Sequence, residues 1–167
     1  MTAVYRLECS MLVSLPIERV FSIFEDPRNL ARITPASLGF EIVSSEPPMR
    51  RGAEIEYRIR WAGLPLSWKT LITEYDPPNL FVDEQIRGPY RLWRHRHMFR
   101  AAEGGTEIAD RVDYALPLGI LGRAAHALAV RRQLRGIFTY RQKALARMLG
   151  EAERIRYTLP VITSGTA

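Results

Sequence analysis

The chain of 167 residues has little cysteine, little lysine and no long apolar run. Its one cysteine, Cys9, cannot form an internal disulfide, which indicates a reducing compartment. No apolar stretch approaches the roughly 20 residues that a membrane-spanning helix needs. The first residues also lack the basic segment and apolar core of a signal peptide. We therefore expect a cytoplasmic protein without integral membrane contact.

Positive charge in this chain comes almost entirely from arginine. The net charge is +6, yet only Lys69 and Lys143 are lysines. Arginine suits phosphate recognition, but here it is spread along the whole chain, with neither zinc-finger spacing nor an aromatic RNA-binding strand signature. We expect no nucleic-acid partner, and the arginine surface leaves open only a peripheral contact with an anionic membrane.

Length and composition indicate one ordinary globular domain. The apolar fraction is 47% and the charged fraction is 25%, and the chain is long enough to bury a real core. We place the domain at residues 1–156. Residues 157–167 show no periodicity and are expected to form a loose tail. The sequence leaves open whether the protein is a monomer or a homodimer.

The order of periodic segments is strand, two short helices, a strand meander and a long helix. A strand is predicted over Val4–Val13, where apolar and polar residues alternate. Pro16 suits the first turn of a helix, and a second short helix ends at Thr34-Pro35. The last helix is predicted from about Leu121 to Arg154.

Residues 53–115 read as an antiparallel meander, because a turn signal marks each corner. The corners are Gly63-Leu64-Pro65, Asp76-Pro77-Pro78-Asn79, Gly88-Pro89-Tyr90 and Gly104-Gly105.

The strand around residues 93–99 carries the most informative pattern of the chain. Side chains alternate faces along a strand, and an arginine face must contact water. The other face is then turned inward, and it carries two imidazoles between two large aromatic rings. Such a wall suits a lined cavity better than a solid apolar core. The inward set is Trp93, His95, His97 and Phe99, and the outward set is Arg94, Arg96 and Arg100.

The turns also predict which residues face each other across strands. Closing the last hairpin over Glu103–Thr106 places Phe99 opposite Asp110, His97 opposite Val112 and His95 opposite Tyr114. The earlier corners place Asp83 opposite His95, Gln85 opposite Trp93, Ile72 near Asp83 and Ile59 near Trp68.

This order of elements resembles the helix-grip fold of the SRPBCC superfamily, which includes START domains, pathogenesis-related pollen allergens and polyketide cyclase/dehydrase-like proteins. Within it, several motifs resemble a bacterial subgroup of unassigned activity. The resemblance implies an α+β fold, in which a curved antiparallel sheet of about seven strands wraps around a long C-terminal helix. It also implies an internal cavity that usually binds an apolar small molecule. The motifs are Gly88-Pro89-Tyr90, Trp93-x-His95-x-His97-x-Phe99, Gly104-Gly105-Thr106, Asp110 and Leu116-Pro117-x-Gly119.

The inward positions supply the candidate ligand-binding residues. They combine aromatic rings with polar groups, a composition typical of a wall for an amphipathic ligand. The set is Tyr57, Trp61, Trp68, Phe81, Asp83, Gln85, Trp93, His95, His97, Phe99, Asp110 and Tyr114.

Three interpretations of the polar members Asp83, His95, His97 and Asp110 stay open. They form a satisfied network that orients a ligand, or His95 or His97 acts as a base oriented by Asp83, or His-x-His and a carboxylate bind a metal. We predict the first: binding or carriage of a hydrophobic, oxygen-bearing, lipid- or polyketide-like molecule, with no metal and no cofactor. The alternative function is a cyclase or dehydratase of a polyketide-like substrate that works by acid–base catalysis.

Overall fold

A large, curved antiparallel sheet and a long C-terminal helix make up most of the protein. The structure, a computed structural model, describes residues 3–43, 49–61, 63–150 and 156–165, and of Trp61 it describes the backbone alone. The strands are β1 (Val4–Val13), β2 (Glu41–Ile42), β3 (Glu54–Trp61), β4 (Leu64–Asp76), β5 (Leu80–Arg87), β6 (Leu92–Ala102), β7 (Gly105–Ala115), β8 (Arg156–Tyr157) and β9 (Val161–Gly165). The helices are α1 (Ile17–Phe24), α2 (Asn29–Arg32), α3 (Gly119–Ala125) and α4 (Arg131–Met148).

The strands form a single sheet in the order β2-β3-β4-β5-β6-β7-β1-β8, and β9 pairs with β1 on the same edge as β8. Leu134 and Phe138 of α4 pack against Leu7 of β1 and Val112 of β7. The helices α1 and α2 cover another part of the same face, where their apolar side chains join a second core cluster. No helix among the described residues is long and apolar enough to cross a membrane.

The predicted alternation of faces is observed along the central strands. On β6, His95, His97 and Phe99 are buried whereas Arg100 is exposed. On β7, every second residue from Thr106 to Tyr114 is buried. Hydrophobic side chains therefore collect on the face that the helices cover, and the arginines stay at the outer surface.

Two hairpins differ from the predicted pairing by two residues, which leaves each side chain on its predicted face. In β6–β7 the pairs are His97 with Asp110, His95 with Val112 and Trp93 with Tyr114. The hairpin closes one step earlier than predicted, between Ala102 and Gly105, because Gly105 belongs to the strand. Gly105 has a φ of 142°, and a Cβ there would lie 1.9 Å from the carbonyl oxygen of Val13.

Of the other predicted cross-strand pairs, some are observed as predicted and one is shifted by two residues. Asp83 faces His95, and Ile72 faces Asp83, as predicted. In β3–β4, however, Trp68 faces Tyr57 rather than Ile59. The hairpin closes with Trp61 opposite Leu64, one step earlier than the predicted turn at Gly63-Leu64-Pro65.

The C-terminal helical region begins at Gly119, slightly earlier than predicted, and its helix ends at Met148. Between α3 and α4, residues His126–Val130 form a π-helical turn. Residues 151–154, which the prediction included in the helix, lie outside the described part of the chain. A π turn inserts one extra residue, and this turn directs the buried His126 towards the sheet.

Within residues 157–167, for which a loose tail was predicted, the described residues up to 165 include strand residues that pair with β1. Residues of β9 pair with Val4–Glu8 of β1, and Tyr157 of β8 pairs with Met11. Ile162 is buried in the core cluster beside α4. The prediction failed because β1 has an edge with unpaired backbone groups, and a short β-branched segment satisfies them without a long periodic pattern of its own.

Candidate functional site

Two neighbouring cavities lie between the sheet and the helices. The larger has a volume of about 490 Å³, and its lining includes residues of β3, β4, β6, α3 and α4. The smaller has a volume of about 110 Å³ and lies between the sheet and α1 and α2. Four residues line both cavities, so the two are adjacent: Leu30, Tyr57, Trp93 and Arg141.

Aromatic rings form one wall of the larger cavity. Trp68 stacks on Tyr57 with ring centroids 5.8 Å apart, and it meets Trp93 edge to face at 5.2 Å. Tyr90 lies 4.8 Å from Trp93. The indole Nε1 of Trp68 donates to Thr70 Oγ1 at 3.1 Å, so its polar edge is satisfied within the protein. This wall therefore offers aromatic surface to an apolar ligand, and the indole N–H of Trp68 needs no partner from it.

Two histidines and two aspartates form a closed ring on the neighbouring strands, which we call the Asp–His ring. His95 Nε2 lies 2.9 Å from Asp110 Oδ1, and His97 Nε2 lies 3.0 Å from Asp83 Oδ2. The other two contacts are longer: His97 Nδ1 is 3.1 Å from Asp110 Oδ1 without hydrogen-bond alignment, and His95 Nδ1 is 3.5 Å from Asp83 Oδ2. Pairing across β5, β6 and β7 brings these side chains together.

The pKa values of the two imidazoles of the Asp–His ring are shifted in opposite directions. Burial and the charge of His97 lower the pKa of His95 to about 4. Burial alone would also lower the pKa of His97, but the carboxylates of Asp110 and Asp83 outweigh it and raise that pKa. The imidazoles in turn hold the pKa values of Asp83 and Asp110 below their usual range, against the effect of burial.

One proton distribution fits these directions and distances. At a pH below the raised pKa of His97, His97 is protonated, His95 is neutral and both aspartates are ionised, so the ring carries one net negative charge. The neutral His95 donates through Nε2 to Asp110, and its bare Nδ1 accounts for the long contact with Asp83. Every imidazole nitrogen faces a carboxylate oxygen, which suits a satisfied network better than a free base.

The same side chains include a set that can ligate a metal ion. Asp83, His95 and His97 each offer a ligand atom, and these atoms lie within 4.8 Å of one another. Imidazole nitrogen with carboxylate oxygen is a suitable donor set for zinc or iron. A metal would have to displace the contacts of the Asp–His ring, because the same atoms make both.

The predicted site residues separate into those at a cavity and those behind it. Tyr57, Trp68 and Trp93 line the larger cavity, and Phe81, Asp83, His95 and His97 line the smaller one. Gln85 instead brackets the backbone of Tyr90, donating to its carbonyl at 2.6 Å and accepting from its N–H at 3.2 Å. Phe99 packs among Phe21, Phe24 and Phe81, and Asp110 lies behind the two histidines. The side chain of Trp61 lies outside the described part.

Two polar residues of the C-terminal helical region were missing from the prediction. The hydroxyl of the buried Tyr114 lies 2.8 Å from His126 Nε2, and the His126 ring stacks on Tyr5 at 3.5 Å. Arg141 lines both cavities. The signal was present, because His126 and Arg141 stand at helical spacing from Leu134, on the apolar stripe rather than on the solvated side.

Known proteins resemble this chain in both sequence and fold. The profile of the family described as "Polyketide cyclase / dehydrase and lipid transport" matches residues 13–138. A protein from Thermus thermophilus superposes with a TM-score of 0.68 at 20% identity, over 89% of this chain and 99% of that one. For major latex-like protein 151 from Panax ginseng the TM-score is 0.65 at 11% identity, over 87% and 97% of the two chains.

A protein from Mycobacterium smegmatis superposes with a TM-score of 0.64 at 18% identity, over 87% of this chain and 90% of that one. No protein with a curated description matches the sequence. The structural neighbours share the helix-grip fold, so the predicted fold class and the predicted resemblance are confirmed. The chain belongs to the polyketide cyclase/dehydrase and lipid transport family.

Proposed function

We propose that this family member binds and carries a hydrophobic, oxygen-bearing small molecule in the larger cavity. The observation that carries the proposal is the cavity itself. Its volume of about 490 Å³ lies within the range of roughly 300–1,000 Å³ typical of small-molecule sites. Its walls are apolar and aromatic side chains from both the sheet and the helices.

The polar groups on these walls are few, which favours a ligand with few oxygens. Among aliphatic and aromatic neighbours, the residues with polar side-chain groups that line the larger cavity include Thr34, Tyr57, Tyr90, Gln133 and Arg141. Isolated polar groups in an apolar pocket fix the orientation of a ligand, whereas its apolar surface supplies most of the binding free energy. Lipid-like and polyketide-like molecules have this composition.

Filling the cavity tests the proposal. Leu66 of β4 lines the larger cavity, and its neighbour Ser67 is exposed on the opposite face of the sheet. Leu66→Trp places a large ring in the cavity, and Ser67→Trp adds the same ring outside it. We expect the neutral probe N-phenylnaphthylamine to become fluorescent with the wild type and Ser67→Trp, and to bind Leu66→Trp at least about tenfold more weakly. Equal binding to all three proteins would contradict the proposal.

A cyclase or dehydratase reaction is the second candidate, and the position of the Asp–His ring favours it. Asp83, His95 and His97 line the smaller cavity, which adjoins the larger one. The bare Nδ1 of His95 is the nitrogen that would remove a substrate proton, with Asp83 beside it at 3.5 Å. A pKa of about 4 makes His95 a weak base at neutral pH, and we therefore rank binding and carriage first.

One substitution separates the two candidates. In a carrier, His95→Gln changes one polar contact in the wall, and we expect probe affinity to change by about tenfold or less. In an enzyme, the same change abolishes turnover while binding survives. The assay is to incubate the wild type and His95→Gln with a poly-β-ketone thioester and to analyse the products by mass spectrometry.

We propose that the protein acts in the cytoplasm. Cys9 is buried as a free thiol, which is typical of a protein that works in the cytoplasm. We propose a monomer or a homodimer as its oligomeric state.

A further inference from the structure

Arg141 is the basic residue of the C-terminal helical region that lies at the cavities. Seven basic residues occur between Gly119 and Met148, and no acidic residue occurs there. The six others are exposed on the outer side of the helices: Arg123, Arg131, Arg132, Arg135, Lys143 and Arg147. Arg141 is only partly exposed and lines both cavities. Its place on the apolar side of α4 is therefore not explained by solvation.

The guanidinium of Arg141 has donors without acceptors. Its Nε and Nη1 atoms are buried, and neither has a hydrogen-bond partner among the described residues. The contact that the group does make is with an aromatic ring, since its Cζ lies 5.2 Å from the centroid of Phe138. Buried N–H groups without acceptors are rare in folded proteins, so their presence at a cavity wall calls for an acceptor that enters with a ligand.

The nearby carboxylates do not serve as that acceptor. Asp83 lines the smaller cavity together with Arg141, and the charge of Arg141 contributes to lowering the pKa of Asp83. The oxygens of Asp83 and Asp110 nevertheless bond to His95 and His97 rather than to Arg141. One guanidinium balances one negative charge, which favours an acceptor that is a monoanion.

Charge and position together define the chemistry of the acceptor. In the larger cavity, Arg141 is the charged residue of an otherwise uncharged lining among the described residues. It also lines the smaller cavity, so it stands where the two cavities adjoin. A guanidinium pairs well with a carboxylate, and a doubly charged phosphate would bring an unbalanced charge close to Asp83. A monoanion with an apolar body fits the two cavities best.

We propose that Arg141 anchors the carboxylate of a hydrophobic monocarboxylic acid whose apolar body occupies the larger cavity. This inference rests on the proposed function and narrows its ligand class. Arg141 is then a specificity-determining residue: it gives the acid an advantage over the matched alcohol, which has the same chain and no charge.

The test measures this advantage with dodecanoate and dodecanol, each displacing N-phenylnaphthylamine from the protein at neutral pH. We expect the wild type to bind dodecanoate about tenfold or more tightly than dodecanol, as a charge-assisted hydrogen bond requires. Arg141→Met should bind dodecanol as the wild type does and lose the preference for the acid. Arg141→Lys should keep part of it, because the charge remains.

The matched control is Arg135→Met, which removes an exposed arginine from the same helix and should leave the preference unchanged. Thermal unfolding separates anchoring from a structural role: removing an unpaired buried charge should leave the melting temperature of Arg141→Met unchanged or higher. A wild type that binds acid and alcohol equally, or an Arg141→Met protein that keeps the preference, would overturn the inference but not the cavity. A wild type that binds neither compound would overturn both.

Discussion

At the scale of single residues, the Asp–His ring and Arg141 place charged groups in the interior of this protein. Each imidazole of the ring lies within 3.5 Å of both aspartates and is hydrogen-bonded to one of them, although His97 Nδ1 lacks an aligned acceptor among the described residues. Arg141 is the opposite case, because its buried donors find no acceptor among the described residues. The ring therefore contributes to a defined core, whereas Arg141 is available to a ligand.

Removing one carboxylate should show the cost of breaking the ring. Asp110→Ala leaves the charge of His97 buried with one carboxylate instead of two, and we expect a loss of about 3–5 kcal/mol in the free energy of unfolding. Asp113→Ala is the control on the opposite face of β7, where Asp113 pairs with the exposed Arg6 at 2.7 Å. It should cost at most about 1 kcal/mol. Urea unfolding at neutral pH measures both, and equal losses would contradict the account.

The two histidines should also be distinguishable by pH. The pKa of His95 falls to about 4 in the folded protein, so its contribution to stability is present above the usual histidine pKa of about 6.5 and is lost as the pH falls towards 4. The pKa of His97 is raised, so its contribution is present below about 6.5 and is lost as the pH rises through the folded value. Histidine ring signals in an NMR titration should show His95 still neutral at pH 6 and His97 titrating above the usual histidine pKa of about 6.5. Titration of both near 6.5 would refute the assignment.

At the scale of elements, the π turn and the last strand were invisible to sequence periodicity. The alternation of residues 93–99 predicts which face of β6 is buried, and that prediction is confirmed. Turn positions predict register only to within two residues, because a glycine such as Gly105 can belong either to the loop or to the strand. Arg141 escaped prediction because arginine is common throughout this helix, and side-chain partners are a tertiary property.

The contact between the π turn and β7 should behave as a coupled pair. His126 Nε2 lies 2.8 Å from the buried hydroxyl of Tyr114. His126→Phe keeps the stacking on Tyr5 but leaves that hydroxyl without its partner, at a cost of about 1–3 kcal/mol. Adding Tyr114→Phe should recover part of the loss, which gives a coupling of about 1 kcal/mol in a double-mutant cycle. Strictly additive costs in urea unfolding would show that the hydrogen bond contributes nothing.

The pairing of β9 with β1 predicts a contrast between two adjacent residues. Ile162 is 7% exposed and packs in the core beside α4, whereas Val161 is 60% exposed. Ile162→Ala should therefore cost about 2–4 kcal/mol and Val161→Ala less than about 0.5 kcal/mol. Thermal unfolding monitored by circular dichroism measures both. A loose C-terminal segment would instead give two near-zero effects.

At the scale of the whole molecule, the fold separates a charged outer surface from an inner face that carries the cavities. The outer face of the sheet and the helices carries the arginines and their acidic partners, as in the pair between Arg111 and Glu8 at 2.8 Å. The inner face carries the aromatic wall, the Asp–His ring and two adjoining cavities. Of the predicted wall, Trp93, His95 and His97 line the smaller cavity, whereas Phe99 packs among other phenylalanines, and the larger cavity adjoins the smaller one.

The most direct test of the central claim is to ask whether the larger cavity captures an organic molecule. The wild type and Leu66→Trp are each incubated with a total organic extract of the expression host, purified identically and compared by native and denaturing mass spectrometry. If the larger cavity binds a ligand, the wild type carries discrete added masses that are released on denaturation, and Leu66→Trp shows the mass of the bare polypeptide. A wild type that takes up nothing, or the same added masses on both proteins, would contradict binding in this cavity.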